Sequence, residues 1–293
     1  MRVFLTGATG FIGSAIVPEL IQAGHTVVGL SRSDSGAAAL TAAGAEVHRG
    51  ELEDLESLKR GAAACDGVIH CGFVHDFSRF AEVCEIDRQA VEAMGSVLAG
   101  SDRPLLVTSG VLFLAQGRAA TEEDAFSPRF PRAASEFAVD ALAAQGVRAM
   151  AIRLPQVHDP YKQGLITYLI GLAREKGVSA YVGDGQSRWA AVHRLDAARV
   201  YRLALEKGVA GAKYHAVAEE GVALREIADS IGRGLKLPVV SKAPEEAAEH
   251  FGGLAMFLGG DSPVSSALTQ QRLGWVLSGQ PSLIEDLDQA KFV

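Results

Sequence analysis

Cysteine is scarce: Cys65, Cys71 and Cys84 are the whole complement of a 293-residue chain. An odd number without close metal-ligand spacing excludes a disulfide framework or a zinc cluster as the organising device. It points instead to reduced thiols packed as small apolar groups. Cys71, at the end of an apolar strand, has a second reading as a reactive thiol. Membrane-length apolar runs are missing, so no stretch is read as crossing a bilayer. Basic runs are missing too, and the formal charge is -7; nucleic acid and anionic membrane surfaces are therefore not expected partners. Met1 runs straight into an apolar strand without room for a signal peptide, so a cytoplasmic location and a small-molecule substrate are expected. The remaining composition, 48% hydrophobic and 22% charged, fits a nucleotide-sized domain of about 150 residues plus a smaller second lobe.

What is present is concentrated at the start. Val3, Phe4 and Leu5 read as a buried parallel strand, and Gly7, Gly10 and Gly13 follow at three-residue spacing. A helix then carries Phe11, Ile12, Ala15, Ile16 and Leu20 at helical spacing and stops near Gly24. One glycine lets the chain reverse, one lets backbone approach a diphosphate, and one lets helix and strand pack closely. The free N–H groups at that helix start would face the diphosphate, making Thr6, Gly7, Thr9, Gly10, Phe11, Ile12 and Gly13 candidate cofactor contacts.

Further along, strands are expected over 26–30, 45–48, 67–72, 105–109 and 149–154, alternating with helices over 36–43, 51–64, 78–99 and 133–144. This alternation predicts an α/β fold with a doubly wound parallel Rossmann sheet, residues 1–155 forming the dinucleotide domain. Residues 156–293 are expected to form a smaller, mainly helical substrate lobe, with helices over 161–176, 222–234, 244–258 and 265–273. Part of 194–217 is expected to return to the main sheet. The end of the second strand should lie beside the adenosine ribose. Arg32 between Ser31 and Ser33 favours NADP(H) over NAD(H) there, the alternative being a solvated arginine with Asp34 as a helix cap. His75 and Asp76 follow the fourth strand as candidate polar contacts, or as a solvated pair. Residues 117–131 form a loop long enough to cover a pocket.

The glycine spacing with Thr6 resembles the short-chain dehydrogenase/reductase superfamily, particularly the extended and atypical branches that include nucleotide-sugar epimerases. Supporting segments run in order: Glu51-Leu52, Val107-Thr108-Ser109, Arg153-Leu154-Pro155, Gly183-Asp184-Gly185 and His193-Arg194-Leu195-Asp196. The resemblance implies that Glu51 and Leu52 meet the adenine. It places Cys71, Gly72 and Phe73, then Thr108, Ser109, Leu154 and Pro155, along the rest of the cofactor, and it implies a homodimer.

The family's catalysis rests on Ser or Thr, Tyr and Lys. Aligning Ser135 with the serine of the family's Tyr-x-x-Ser-Lys puts Arg132 at the tyrosine and Glu136 at the lysine. Arginine stays protonated, and a carboxylate raises rather than lowers a neighbouring phenol's pKa. Ser109 is then the oxygen-polarising candidate, with Tyr161, beside Lys162, and His75 or His158 as proton donors. Arg132 and Arg153 are candidates to clamp an anionic group, Arg132 alternatively pairing with Glu136, while Trp189 and His193 either touch substrate or pack at the lobe junction. The expected function is an atypical NADP-dependent oxidoreductase moving hydride to or from a small carbonyl or alcohol. The alternatives are a nucleotide-sugar epimerase or dehydratase, and a redox-inactive NADP-binding sensor.

Overall fold

The computed structural model describes residues 1–290. Strand β1 (Arg2–Thr6) leads through the glycine loop into α1 (Gly13–Gln22). There follow β2 (Thr26–Ser31), α2 (Asp34–Ala42), β3 (Glu46–Arg49), α3 (Leu55–Ala63), β4 (Gly67–His70), α4 (Phe80–Ser96), β5 (Leu105–Gly110), α5 (Ala133–Ala144) and β6 (Ala149–Leu154). Past this point come β7 (Gln156–Asp159), β8 (Lys162–Gln163), α6 (Ile166–Lys176), β9 (Ser179–Val182), β10 (Arg188–His193), α7 (Arg194–Lys207), β11 (Lys213–His215) and β12 (Glu219–Ala223). The chain closes with α8 (Leu224–Leu235), β13 (Val239–Lys242), α9 (Ala247–Phe251), α10 (Ala255–Leu258), α11 (Ala267–Leu273) and α12 (Leu283–Gln289).

Seven strands form the main sheet in the order β11-β6-β5-β4-β1-β2-β3, every neighbouring pair parallel. Strand order reverses between β1 and β4, and ligands of such sheets sit outside the carboxyl ends at that switch. Alternation along the strands assigns the two faces. Val3, Leu5, Ile69, Leu106 and Ile152 pack with α1 and α7, whereas Phe4, Val68, Leu105 and Val107 pack with α3, α4 and α5. β11, preceded by α7, closes the sheet at its outer edge against β6, so residues 194–215 lie with the first 155.

The second lobe holds more strand than its sequence suggested. A four-stranded sheet, β12-β10-β7-β8, and a parallel pair, β13-β9, pack with α6, α8 and α12 around Trp189, Val222, Ile227, Leu283 and Leu287. The helix expected over 161–176 starts only at Ile166. Asp159 accepts the backbone N–H groups of Tyr161 (2.8 Å) and Lys162 (2.9 Å), and this side-chain-built turn folds 159–163 into a hairpin instead. The loop over 117–131 is tied down. Ala120 bridges to Val264, and Glu122 accepts both the backbone and hydroxyl of Thr269 at 2.7 Å, so it is no free flap. Among the described residues no helix is long and apolar enough to cross a membrane.

Candidate functional site

The glycine loop divides its labour. Gly7 has φ +66° and lies so close to β4 that a Cβ would stand 2.6 Å from the Cys71 carbonyl oxygen, while a Cβ on Gly13 would stand 2.1 Å from the Gly7 oxygen. Both are needed for the bend to close. Around a Cβ on Gly10 only the Gly7 oxygen, at 3.1 Å, lies within 4 Å, so Gly10 leaves open room for a ligand. Helices α2 and α3 are capped by the side chains of Ser33 and Asp54; α1 has no side-chain cap, and with the Ser14 and Ala15 N–H groups turned back onto the Gly10 and Ile12 carbonyls, those of Phe11, Ile12 and Gly13 are the ones that can face an anion. The donor set and the open backbone therefore fit a dinucleotide, Gly10, Phe11 and Ile12 lining its diphosphate end.

Thr6 fixes the neighbouring wall. Its hydroxyl accepts the Gly72 N–H (3.1 Å) and meets His70 Nδ1 (2.7 Å), so β1 and β4 are tied just where they diverge. Leu52 lies against Gly72, whose Cβ would stand 2.9 Å from its methyl group, and Glu51 is exposed beside it. At the far end of β2, Ser31 donates to the Ser33 carbonyl, Thr9 lies against Gly36, and Arg32 is exposed. Asp34 pairs with Arg49 of β3 at 2.7 Å. Arg49 was not legible in the sequence as a member of this corner, because only the β2–β3 register, Ser31 opposite Arg49, brings it there.

Behind the sheet end, Thr108 Oγ1 donates to the His70 carbonyl and meets the Tyr201 hydroxyl, both at 2.7 Å. The Thr108 hydroxyl thus faces α7 and ties β5 to β4. Tyr201 is fully buried, and burial pushes its phenol well above the ordinary range, so it is no proton donor. Burial likewise pushes the Cys71 thiol up, which removes the reactive-thiol reading.

Ser109 has the opposite parity and turns toward α5. Its side-chain oxygen is buried without a hydrogen-bond partner, in a residue only 4% exposed. Buried hydroxyls normally find partners; among the described residues this one has none, which leaves an unmet donor at the end of β5. Arg132, at the start of α5, donates to Asp87 (2.6 Å), Ser135 (2.6 Å) and the Thr108 carbonyl (2.6 Å). Its guanidinium stacks on Phe73, 4.6 Å from the ring centre. Asp87 also accepts from Ser135 and meets His70 Nε2 at 3.0 Å. Burial pushes the Asp87 carboxyl up, but the Arg132 charge and the His70 and Ser135 hydrogen bonds outweigh it and hold the group well below the usual carboxylate range.

The alternative pairing of Arg132 with Glu136 is therefore corrected: Arg132 holds Asp87. Glu136 belongs to Arg153, in a buried two-point pair of 2.9 and 2.7 Å, and Arg153 Nη1 also meets His215 Nε2 at 3.2 Å. Arg153 is 1% exposed, and its guanidinium faces Glu136 and His215 inside the protein. Trp189 is buried in the second lobe with its indole N–H on the Phe257 carbonyl (3.1 Å), and His193 caps α7; both pack rather than reach the sheet end. His158 is buried against Asp286 at 2.7 Å. Tyr161 is 86% exposed at the hairpin tip. His75 packs edge-on to Phe73, 5.5 Å between ring centres. Burial, then the charge of Lys162 and more weakly that of Arg132, push its imidazole below the ordinary range. Leu154 ends β6 opposite Gly110, and Pro155 follows it. The structure thus gathers Ser109, Arg132, Phe73 and His75 at one strand end. Asp87 and His70 were missed because nothing in their helix and strand patterns distinguishes a buried acid or histidine from an ordinary one.

Residues 3–218 match the family model of the NAD dependent epimerase/dehydratase family. A protein of Schizosaccharomyces pombe described as uncharacterized is 53% identical over 278 residues, 94% of each chain. The sterol-4-alpha-carboxylate 3-dehydrogenase, decarboxylating, of Dictyostelium discoideum is 29% identical, covering 77% of this chain and 74% of its own. In fold, the chain is similar to the dTDP-glucose 4,6-dehydratase DesIV of Streptomyces venezuelae, solved with NAD bound. Its TM-score is 0.79 at 20% identity, over 99% of this chain and 95% of that one. With its switch-point glycine loop and its parallel seven-stranded sheet, the chain belongs to the NAD-dependent epimerase/dehydratase family, within the extended short-chain dehydrogenases/reductases.

Proposed function

We propose that the protein is an NADP(H)-dependent oxidoreductase that moves hydride between the cofactor and a small carbonyl or alcohol, using Ser109 and Arg132 where relatives use serine, tyrosine and lysine. The observation that carries this reading is the buried, partnerless Ser109 hydroxyl beside a guanidinium anchored to Asp87 and the Thr108 carbonyl. The bound nicotinamide supplies the hydride. The chain's residues supply the rest. Ser109 donates a hydrogen bond to the substrate oxygen, which gathers negative charge as hydride reaches its carbon. Asp87 offsets most of the Arg132 charge, so Arg132 acts chiefly as a rigid set of N–H donors that fixes the β5 end and the Phe73 wall. The proton that completes the alcohol comes from solvent, with His75 as its carrier into the site; its lowered pKa leaves it neutral at pH 7 and able to take the proton back in the oxidising direction. Tyr161, exposed at the hairpin tip, has no part in this arrangement.

Arg32 and Arg49 at one corner, with Asp34 already engaged, support NADP(H) over NAD(H). Arg32→Ala is expected to weaken NADPH about tenfold or more while changing NADH less than about twofold, read by calorimetry. Equal losses contradict the assignment. The reaction itself is tested by following NADPH absorbance and products over a panel of aldehydes, ketones and nucleotide sugars. Turnover of simple carbonyls is expected. Isomerised sugar without net cofactor consumption, or tight binding with no turnover at all, would overturn the proposal in favour of an epimerase or a sensor.

A further inference from the structure

β7 and β10 run parallel and end together, His158 opposite His193, so the residues that follow each strand emerge side by side. Arg194 and Asp159 pair at 3.1 Å. The same Asp159 carboxylate folds the turn that carries Lys162. Both cations come to one ring of the glycine loop: Arg194 lies 5.2 Å and the Lys162 ammonium 5.8 Å from the centre of Phe11. Lys162 is also near enough to the β4 loop for its charge to depress His75, so it spans from the start of α1 to the wall beyond β4. Arg194 has a counter-charge in Asp159. Among the described residues, the Lys162 ammonium makes no ion pair or hydrogen bond. Its neighbours are the start of α1, a neutral ring and the Arg194–Asp159 pair, whose charges offset one another, so an unpaired ammonium at a helix start favours a bound anion.

We propose that Lys162 is a cofactor-binding residue delivered by the second lobe: it meets the nicotinamide-side phosphate and ribose of the dinucleotide, supplying there the positive charge that α5 lacks because Glu136 replaces the family's lysine. The inference rests on the family's dinucleotide binding and adds a residue no glycine-loop pattern contains. Its structural logic is a clasp. Asp159 sets the turn, the turn aims the ammonium, and cofactor charge then holds the hairpin against the glycine loop.

The test compares NADPH and NADH with AMP, which lacks the nicotinamide half, by calorimetry on the wild-type protein and on Lys162→Met and Lys162→Arg. Lys162→Met should weaken both dinucleotides about tenfold, leave AMP within about twofold, and flatten the salt dependence of dinucleotide binding. Lys162→Arg should recover most of the loss. Unchanged dinucleotide affinity in Lys162→Met overturns the inference, as do equal losses for dinucleotide and AMP, which would make Lys162 a support of the fold. A wild-type protein that binds neither dinucleotide fails earlier, at the cofactor reading itself, and is thereby told apart.

Discussion

Ser109→Ala is expected to lower kcat/KM for carbonyl reduction about 10²-fold or more while leaving the melting temperature unchanged or slightly higher. The two halves of this expectation have one cause. The hydroxyl is buried in a residue 4% exposed and has no partner among the described residues, so deleting it removes no hydrogen bond among them and relieves an unsatisfied polar atom. Its loss is felt only when a substrate oxygen needs a donor. A drop in melting temperature of several degrees would show that the hydroxyl supports the fold, and unchanged turnover would remove it from the chemistry. Ser135→Ala is the contrasting control. That hydroxyl accepts from Arg132 and donates to Asp87, so its removal disturbs a buried charge network.

Restoring the family's lysine should fail. Glu136→Lys sets a second cation against Arg153, a residue 1% exposed whose guanidinium is held at two points by the native carboxylate. Removing one partner of such a pair costs about 3–5 kcal/mol before any repulsion is counted, a large share of the roughly 5–15 kcal/mol that holds a typical domain together. The variant is expected to be insoluble or to melt about 10 °C or more below wild type, measured by thermal unfolding in parallel with Glu136→Gln, which keeps the shape and loses the charge. Wild-type stability in Glu136→Lys would show that Arg153 does not depend on this carboxylate. The pair explains how position 136 carries a buried acid: its carboxylate holds β6 to α5.

The dinucleotide half of the molecule was legible because its signals are local. Val3 to Leu5, the three glycines and the apolar positions of α1 lie within twenty residues, and each depends on backbone sterics or on helical period. Helix α5 and strand β6 were readable to the residue for the same reason. The second lobe was harder. β10 finds its partners β7 and β12 about thirty residues away on either side, so no local periodicity marks the sheet. At Tyr161 the chain carried helix-compatible residues, yet one carboxylate, Asp159, captured the turn. In the site, sequence placed Thr108 and Ser109 together along the cofactor, since both are hydroxyls at one strand end. Strand parity separates them, sending one to Tyr201 and the other toward α5. Arg132 was noticed as a misfit at a tyrosine position and as an anion clamp or a partner of Glu136; its actual partner Asp87 lies 45 residues earlier, a pairing that the packing of α4 on α5 creates.

The most direct measurement is isotope transfer from the cofactor. Wild-type protein is incubated with NADPH carrying deuterium in both positions at nicotinamide C4 and with the carbonyl panel, and the alcohols are analysed by mass spectrometry. Deuterium should appear on the carbinol carbon with wild type and about 10²-fold more slowly with Ser109→Ala. Tightly bound cofactor with no label in any product, or equal labelling by both proteins, would contradict the account.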